Sequence, residues 1–140
     1  MNSINATTAT KDMKAIFSTL WIYATLNYLY CDVLGFFDAA TLKALMEGHA
    51  GSIQITQGFL MGASILMEIP ISMVLLSRVL KYGANRWANI IAGTIMTLVQ
   101  ISSLFVGTAL ANYYLFFSII EITCTTFIVW YAWKWTNPEA

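Results

Sequence analysis

The sequence predicts an all-α polytopic membrane protein, an up-down bundle of four transmembrane helices with a short amphipathic helix on its outer side. Of the 140 residues, 59% are apolar and the mean hydropathy is +0.68. Only 10% are charged, whereas a soluble domain has about 25%. Four mainly apolar runs each reach the roughly 20 residues that a helix needs to cross a bilayer.

The predicted spans follow one another along a single domain, residues 13–137, after a flexible cytoplasmic tail at 1–12. Short links between spans favour an up-down order. We expect the spans at about 15–37, 55–80, 88–110 and 113–135.

The cationic residues predict how the spans are oriented. Only Lys43 falls on the side of the first link, while the other six of the seven Lys and Arg residues fall on the opposite side. Because cytoplasmic loops carry an excess of Lys and Arg, both termini are expected in the cytoplasm, with the chain in the cell (inner) membrane. The six residues are Lys11, Lys14, Arg78, Lys81, Arg86 and Lys134.

The first link, DAATLKALMEGHAGSIQ, is the only link with room for structure of its own. Asp38 is a candidate N-cap and Gly48 a candidate stop signal. Leu42, Leu45 and Met46 fall on one helical face between them. The pattern predicts a short amphipathic helix that lies on the outer surface or caps the bundle.

Polar and small residues recur at helical spacing in all four spans, which predicts four polar faces turned toward a common axis. The stripes are Trp21, Thr25, Tyr28 and Asp32; Gln57, Met61, Ser64, Glu68 and Ser72; Asn89, Gly93, Met96, Gln100, Ser103 and Gly107; and Tyr114, Ser118, Glu121 and Thr125.

These stripes predict a ligand-binding site in the middle and outer half of the bundle. Acids inside a membrane are costly and mark functional sites by default, and no Lys or Arg falls at the same depth. Structural hydrogen bonding between helices is the alternative for the amides and hydroxyls. The candidate residues are Glu68, Glu121, Asp32, Gln100, Asn27, Ser64 and Tyr28.

Other kinds of chemistry lack a motif in this sequence. Asp38, Glu47 and His49 share the outer link without a recognised metal-ligand spacing, so neither a metal nor another cofactor is expected. A net charge of zero argues against nucleic acid as a partner. Gly58-x-x-x-Gly62 more often reflects close packing inside a bundle than a dimer contact, although a homo-oligomer stays open.

Several stretches resemble a bacterial family of small four-span membrane proteins whose function is uncharacterised. The resemblance covers nearly the whole chain beyond the tail and implies the four-span architecture, but it brings no activity. The stretches are Gln57-Gly58, SILMEIP at 64–70, NRWANII at 85–91, IIEI at 119–122 and WYAWKW at 130–135.

Three functions are compatible with this pattern. The first is the binding or transport of a small cationic or amphipathic molecule, in possible exchange for protons. The second is a structural or assembly role, in which the acids bond to a partner helix. The third is an enzyme that uses two intramembrane acids on a lipid-like substrate, although the pattern leans against enzymatic activity. Beyond the lipid bilayer itself, the sequence identifies no partner.

Overall fold

In the computed structural model, the described residues are 2–106 and 111–136, and they form an all-helical protein. Five helices and one two-stranded hairpin follow in chain order. They are α1 (Asn2–Gly35), α2 (Ala39–Met46), β1 (His49–Ala50), β2 (Ile53–Gln54), α3 (Gln57–Val79), α4 (Tyr82–Ser103) and α5 (Asn112–Lys134).

Helix α1 begins well before the first predicted span. It runs for 34 residues from Asn2, so the segment 2–12 is helical where a flexible tail was expected. At about 1.5 Å per residue, α1 is about 50 Å long and exceeds the hydrocarbon thickness of a bilayer, about 30 Å. The boundary predicted near residue 12 therefore does not coincide with a helix end.

The outer link forms a helix, as predicted, followed by a hairpin that was not predicted. Asp38 caps α2 by accepting a hydrogen bond from the Thr41 amide, and Gly48 follows the helix with a φ of 81°. The hairpin turns at Gly51, whose φ of 60° suits a two-residue turn. Ser52 then donates from its hydroxyl to the Val106 carbonyl at 2.8 Å, which fastens the hairpin to the end of α4.

The boundaries of the three later helices follow local signals. Thr56 caps α3 by accepting from the Phe59 amide at 3.1 Å. A short break at Leu80 and Lys81 separates α3 from α4. Helix α4 ends at Ser103, earlier than the predicted limit of 110; positions 107–110, including Gly107 of the third stripe, lie outside the described residues.

The four long helices form a ring in which α1 and α4 each contact both α3 and α5. The closest pairs are α4 with α5 and α1 with α3. The end of the ring that carries α2 is termed the outer end, and the end at the α3–α4 link is termed the inner end. The largest fully buried apolar side chains include Phe17, Trp21, Met96 and Ile128.

Two helices, α3 and α5, are long and apolar enough to cross a membrane by length and composition. Within the described residues, α1 and α4 are long enough but not apolar enough to meet the same criterion. Amide, hydroxyl and aromatic side chains dilute the apolar residues of α1, and α4 stops at Ser103. The all-helical prediction is confirmed, whereas the arrangement of four spans stays a prediction.

Candidate functional site

Three of the four predicted polar stripes face the interior. On α1 the buried positions include Trp21 and Tyr28 of the predicted stripe. Helix α4 buries Asn89, Gly93, Met96 and Gln100, and α5 buries Ser118, Glu121 and Thr125. The exception is α3, which buries Pro70, Met73 and Ser77, a face that the predicted stripe does not include.

The carboxyl group of Glu121 lies in the protein interior without a complete set of partners. The residue is 1% exposed, and its Oε1 atom is buried with no hydrogen-bond partner. The hydroxyl of Tyr28, on α1, is likewise buried and unpartnered. In the part of the chain that the structure describes, these two atoms are the buried side-chain atoms without a hydrogen-bond partner. The two groups are close enough to interact electrostatically.

Such atoms are uncommon because burying a polar group without a hydrogen bond costs about 1–3 kcal/mol. Native interiors satisfy nearly all of them, so a buried polar atom that the protein itself leaves without a partner is a candidate for contact with a bound group. Glu121 and Tyr28 lie on α5 and α1, which pack directly against each other. Two exceptions on adjacent helices therefore define a candidate site rather than two unrelated defects.

Next to this pair, a relay of hydrogen bonds ties α4 to α5. Gln100 donates from Nε2 to the Ser118 hydroxyl at 2.9 Å, and Ser118 donates to the Tyr114 carbonyl at 2.7 Å. The Tyr114 hydroxyl donates to Ser103 at 2.6 Å. The relay fixes the wall beside Glu121 but provides no hydrogen bond to its Oε1.

Asp32 and Cys31 complete the surroundings of Glu121 on the α1 side. Asp32 is exposed at the outer end of α1 and acts electrostatically on Glu121. The Cys31 thiol is buried and within electrostatic range of both acids. We name the set Tyr28, Asp32, Gln100, Ser118 and Glu121 the outer carboxyl site.

Three of the predicted site residues lie elsewhere. Glu68 is exposed on α3 and accepts from the Ser72 hydroxyl at 3.1 Å, one turn along the same helix. Ser64 is also exposed and bonds to the Leu60 carbonyl. Asn27 donates to the Tyr23 carbonyl of its own helix at 2.7 Å. Glu68 was expected to face the axis; it lies outward because α3 turns the face with Pro70, Met73 and Ser77 toward the interior.

A second buried polar cluster, at the inner end, was not predicted as a unit. Trp21 donates from Nε1 to Asn89 Oδ1 at 2.7 Å, and Asn89 donates from Nδ2 to Asn85 Oδ1 at 2.7 Å. Asn85 donates to the Ser77 carbonyl. All four residues are 0% exposed. We call Trp21, Ser77, Asn85 and Asn89 the inner amide network.

The spacing of two asparagines in the sequence is consistent with this network. Asn85 and Asn89 are four residues apart and so share a helix face. Ser77 falls off the polar stripe of α3, which explains why it was missed. In contrast to the outer carboxyl site, the amide groups of this network have partners, so its role is to join α1, α3 and α4.

An open groove of about 390 Å³ lies on the outer surface between α1 and α5, and Glu121 does not line it. Its walls are mostly apolar, and Ile120, one of the wall residues, precedes Glu121 directly. Cys124 joins the two helices at its base through a long contact to the Leu20 carbonyl, 3.6 Å. The wall residues are Leu20, Tyr23, Ile119, Ile120, Thr123, Cys124 and Phe127.

The outer link shows no comparable site. The side chain and amide of Thr41 both donate to Asp38, and these hydrogen bonds lower the pKa of that carboxyl. His49 contacts the Glu47 carbonyl at 3.0 Å, and Lys43 lies 4.0 Å from Glu47. Among the described residues, no group of three or more His, Cys, Asp or Glu side chains is placed to hold a metal ion.

The fold and the site together define a class: an all-helical bundle with a buried, unpartnered carboxyl group between two of its helices. A family model matches residues 6–140, nearly the full length. The chain belongs to DUF6326, a family of unknown function. No curated protein and no solved structure matches the chain.

Proposed function

We propose that this chain is a multi-pass membrane protein that binds a small cationic or amphipathic molecule at the outer carboxyl site, in exchange for a proton. The observation that carries the proposal is the buried carboxyl of Glu121, whose Oε1 has no partner, next to the unpartnered hydroxyl of Tyr28. A cation supplies the charge that the site lacks, and a proton supplies it when the cation is absent.

The distribution of apolar residues supports a membrane environment. In the most apolar part of α3, with a mean hydropathy of 2.0, only 11% of the residues are buried inside the protein; in α5 the share is 33%. The core helix of a soluble protein would bury most of these residues, because exposed apolar area costs about 25 cal/mol per Å² in water. A bilayer removes this cost for the outward faces of the bundle.

The inner end carries the groups expected at a cytoplasmic membrane surface. Arg86 donates to the Ala132 and Trp133 carbonyls at the end of α5, and Lys134 lies 4.4 Å from the centre of the Trp130 ring. Tyr82 donates to the Trp135 carbonyl at 2.7 Å. Cations and tryptophans at this end support an orientation with both termini in the cytoplasm.

The ligand chemistry follows from the two parts of the region. Glu121 and Asp32 act on each other electrostatically. Of the Lys and Arg residues, Lys43 lies in α2, and the others lie toward the inner end of the bundle, with Lys11 and Lys14 inside α1 before Ser18, which contacts Arg78. No Lys or Arg side chain of the protein is therefore placed to pair with Glu121 in place of a positively charged ligand. The apolar groove between α1 and α5 opens on the outer surface, and neither Glu121 nor Tyr28 lines it; it offers an apolar surface beside the same two helices for the uncharged part of an amphipathic cation.

A binding assay with matched glutamate variants tests this function. The probe is tetraphenylphosphonium, a lipophilic cation, titrated calorimetrically into the protein in detergent micelles at neutral pH. Glu121→Gln removes the charge and keeps the size, so affinity should fall about tenfold or more. Glu68→Gln makes the same chemical change on the outer face of α3 and should leave affinity within about twofold.

Two results would refute the proposed binding function. One is equal affinity in the wild type and Glu121→Gln, with both folded as judged by circular dichroism. The other is a loss of affinity in Glu68→Gln as large as in Glu121→Gln. If the probe does not bind but Glu121→Gln abolishes proton uptake measured with a pH-sensitive dye, the site binds protons without an organic cation.

The placement of Glu68 favours binding over the enzymatic alternative. Glu68 is exposed on α3 and Glu121 is buried on α5, on opposite sides of the ring, so these two acids do not face a shared cavity; Asp32, the acid that acts on Glu121, is exposed. General acid–base chemistry requires both groups within reach of one substrate. We therefore propose binding or transport rather than catalysis.

A further inference from the structure

One face of α3 is unpartnered along the full helix and has the spacing of a helix–helix contact. Its positions alternate by three and four residues, the repeat with which two helices pack along a left-handed seam. Met61, Ile65, Leu75 and Val79 are each 62–64% exposed. The complete face is Gly58, Met61, Ile65, Glu68, Ser72, Leu75 and Val79, and it spans about 32 Å.

Lipid alone is a poor cover for this face because Glu68 lies at its centre. Glu68 is midway between Gln57 and Val79, so it lies near the bilayer centre if α3 crosses the membrane. Its one hydrogen bond in the structure comes from Ser72 of the same helix. A carboxyl group surrounded by hydrocarbon is costly, and such residues are found facing protein or water.

We propose that a second copy of this chain covers the face, with the two α3 helices side by side and parallel about a twofold axis. In such a pair each position meets its own copy at the same depth, so Glu68 meets Glu68 with Ser72 beside it. Two adjacent carboxyl groups can hold one proton in a shared hydrogen bond. The polar centre is thereby satisfied on both chains at once.

A different pairing of the same chain fits the observations less well. A head-to-tail contact would have to bring Glu68 to a donor on another outward surface at mid-depth. Lys43 lies in α2, and the other Lys and Arg residues lie toward the inner end of the bundle, where Lys11 and Lys14 precede Ser18 on α1 and Ser18 contacts Arg78, so no cationic donor is available at mid-depth. The self-pairing of one face needs no cation, because each chain supplies the same acid and hydroxyl.

The glycines at the outer end of α3 leave room for close approach. A methyl group added at Gly62 would meet no atom within 4 Å, and at Gly58 it would meet only Thr56 of the same chain, at 3.8 Å. The Gly58-x-x-x-Gly62 pattern therefore does not mediate packing inside this bundle, contrary to the expectation from sequence. Small residues on an outward face let two membrane helices approach closely.

Cross-linking of single-cysteine variants tests the pairing. Ile65→Cys places a thiol on the proposed face, and Ile119→Cys places one at similar depth on α5, across the ring. Both native cysteines are buried and give little background. In vesicles of neutral phospholipid, a short bismaleimide should convert most of Ile65→Cys, and little of Ile119→Cys, to a covalent dimer.

Substitutions at Glu68 then test the polar centre. Glu68→Gln keeps a group that both donates and accepts, so the dimer should persist. Glu68→Leu removes the hydrogen bond while making the face fully apolar, so association should weaken by about 3- to 30-fold, measured by energy transfer between labelled chains at increasing lipid dilution.

This inference rests on the proposed membrane placement of α3 but not on the outer carboxyl site. Glu121→Gln should therefore leave cross-linking unchanged even if it abolishes cation binding. Equal cross-linking through Ile65 and Ile119, wild-type association of Glu68→Leu, or cross-linking of Ile65→Cys to a different protein in native membranes would each overturn it.

Discussion

Helices α3 and α5 have the same length, 23 residues, similar hydropathy and a glutamate near the middle, yet they use that glutamate in opposite ways. In α5 the acid points into the bundle, and buried residues extend from Ser118 to Ala132. In α3 the acid points away, and no residue before Pro70 is buried. Hydropathy predicts that a helix can cross a membrane; it does not determine which face turns inward.

The difference arises from the partners that each helix finds. Helix α5 packs tightly on α4, where Thr97 and Thr125 hydroxyls lie 2.7 Å apart, and it also contacts α1. Helix α3 is fixed at its inner half by Ser77 and the inner amide network. The outer half of α3 has no fully buried residue; Leu66, Met67 and Ile69 are partly buried against the core, and the polar residues Ser64 and Glu68 lie outward.

The largest effect should come from releasing the inner half of α3. Asn89→Ala removes the acceptor of Trp21 and the partner of Asn85, and each buried group left unsatisfied costs about 1–3 kcal/mol. We expect a loss in unfolding free energy on the order of 3 kcal/mol, measured by denaturant titration in micelles. Asn27→Ala, which removes a hydrogen bond within α1 only, should cost less than about 0.5 kcal/mol.

The next largest effect on stability is expected when glycine is replaced by alanine at a closely packed position, in comparison with the same substitution at an open position. A methyl group added at Gly93 would lie 2.7 Å from Val129 Cγ2 and 3.2 Å from the Thr125 carbonyl. Gly93→Ala should therefore destabilise the protein by about 2 kcal/mol. Gly62→Ala meets nothing within 4 Å and should raise helix stability by up to about 1 kcal/mol.

A destabilised Gly62→Ala monomer would contradict the open outer half of α3. Thermal unfolding of both variants in the same detergent, below the concentration at which the chain associates, makes the comparison direct.

A smaller effect, of opposite sign, is expected at the two glutamates. Glu121→Leu removes a buried oxygen without a partner, so it should stabilise the fold by about 1 kcal/mol while abolishing the proposed binding. Glu68→Leu should leave the monomer's stability within about 0.5 kcal/mol because Glu68 is exposed. Strong destabilisation by Glu121→Leu would instead indicate a structural role for Glu121.

The smallest effect concerns pH at the outer link. Hydrogen bonds from Thr41 lower the pKa of Asp38 below its ordinary value of 3.8, so the ionised cap stabilises α2 above that value. The stabilisation is lost as the pH falls through the lowered pKa. The protection factors of the amides in residues 41–45, which compare their exchange with that of an unstructured chain at the same pH, should fall in acid, whereas Asp38→Asn, an uncharged cap, should make them less sensitive to acid. Unchanged protection factors of the wild type in acid would contradict this assignment.

Much of the architecture follows from local patterns in the sequence. Apolar runs separated by short links predict long helices, and Asp38 and Gly48 predict the bounds of α2, as the structure confirms. The start of α1 was not predicted correctly from hydropathy. Hydropathy indicates where the apolar residues begin, whereas the helix itself continues through the polar residues 2–12. Hydrogen bonding within α1 does not depend on the apolar surroundings.

The candidate site was only partly predictable for a related reason. A polar stripe identifies a face, and three of the stripes face inward as expected. For α3 the stripe was misleading, because the face that packs inward is the one with Pro70, Met73 and Ser77, and Ser64 and Ser72 find partners within their own helix. Ser77 joins the interior from a position that stands alone in the sequence. Which face of such a helix packs inward depends on contacts with other helices, which a single helix's sequence pattern does not contain.

Pro70 lies at the boundary between the fixed and the free halves of α3 and lacks an amide hydrogen, so the backbone ladder is weakened where packing begins. The Leu66 carbonyl, four residues before Pro70, therefore lacks its usual donor within the helix. In a bilayer such a carbonyl needs a partner from a neighbouring helix or side chain, so Pro70 makes α3 dependent on the rest of the bundle at one point inside a continuous helix.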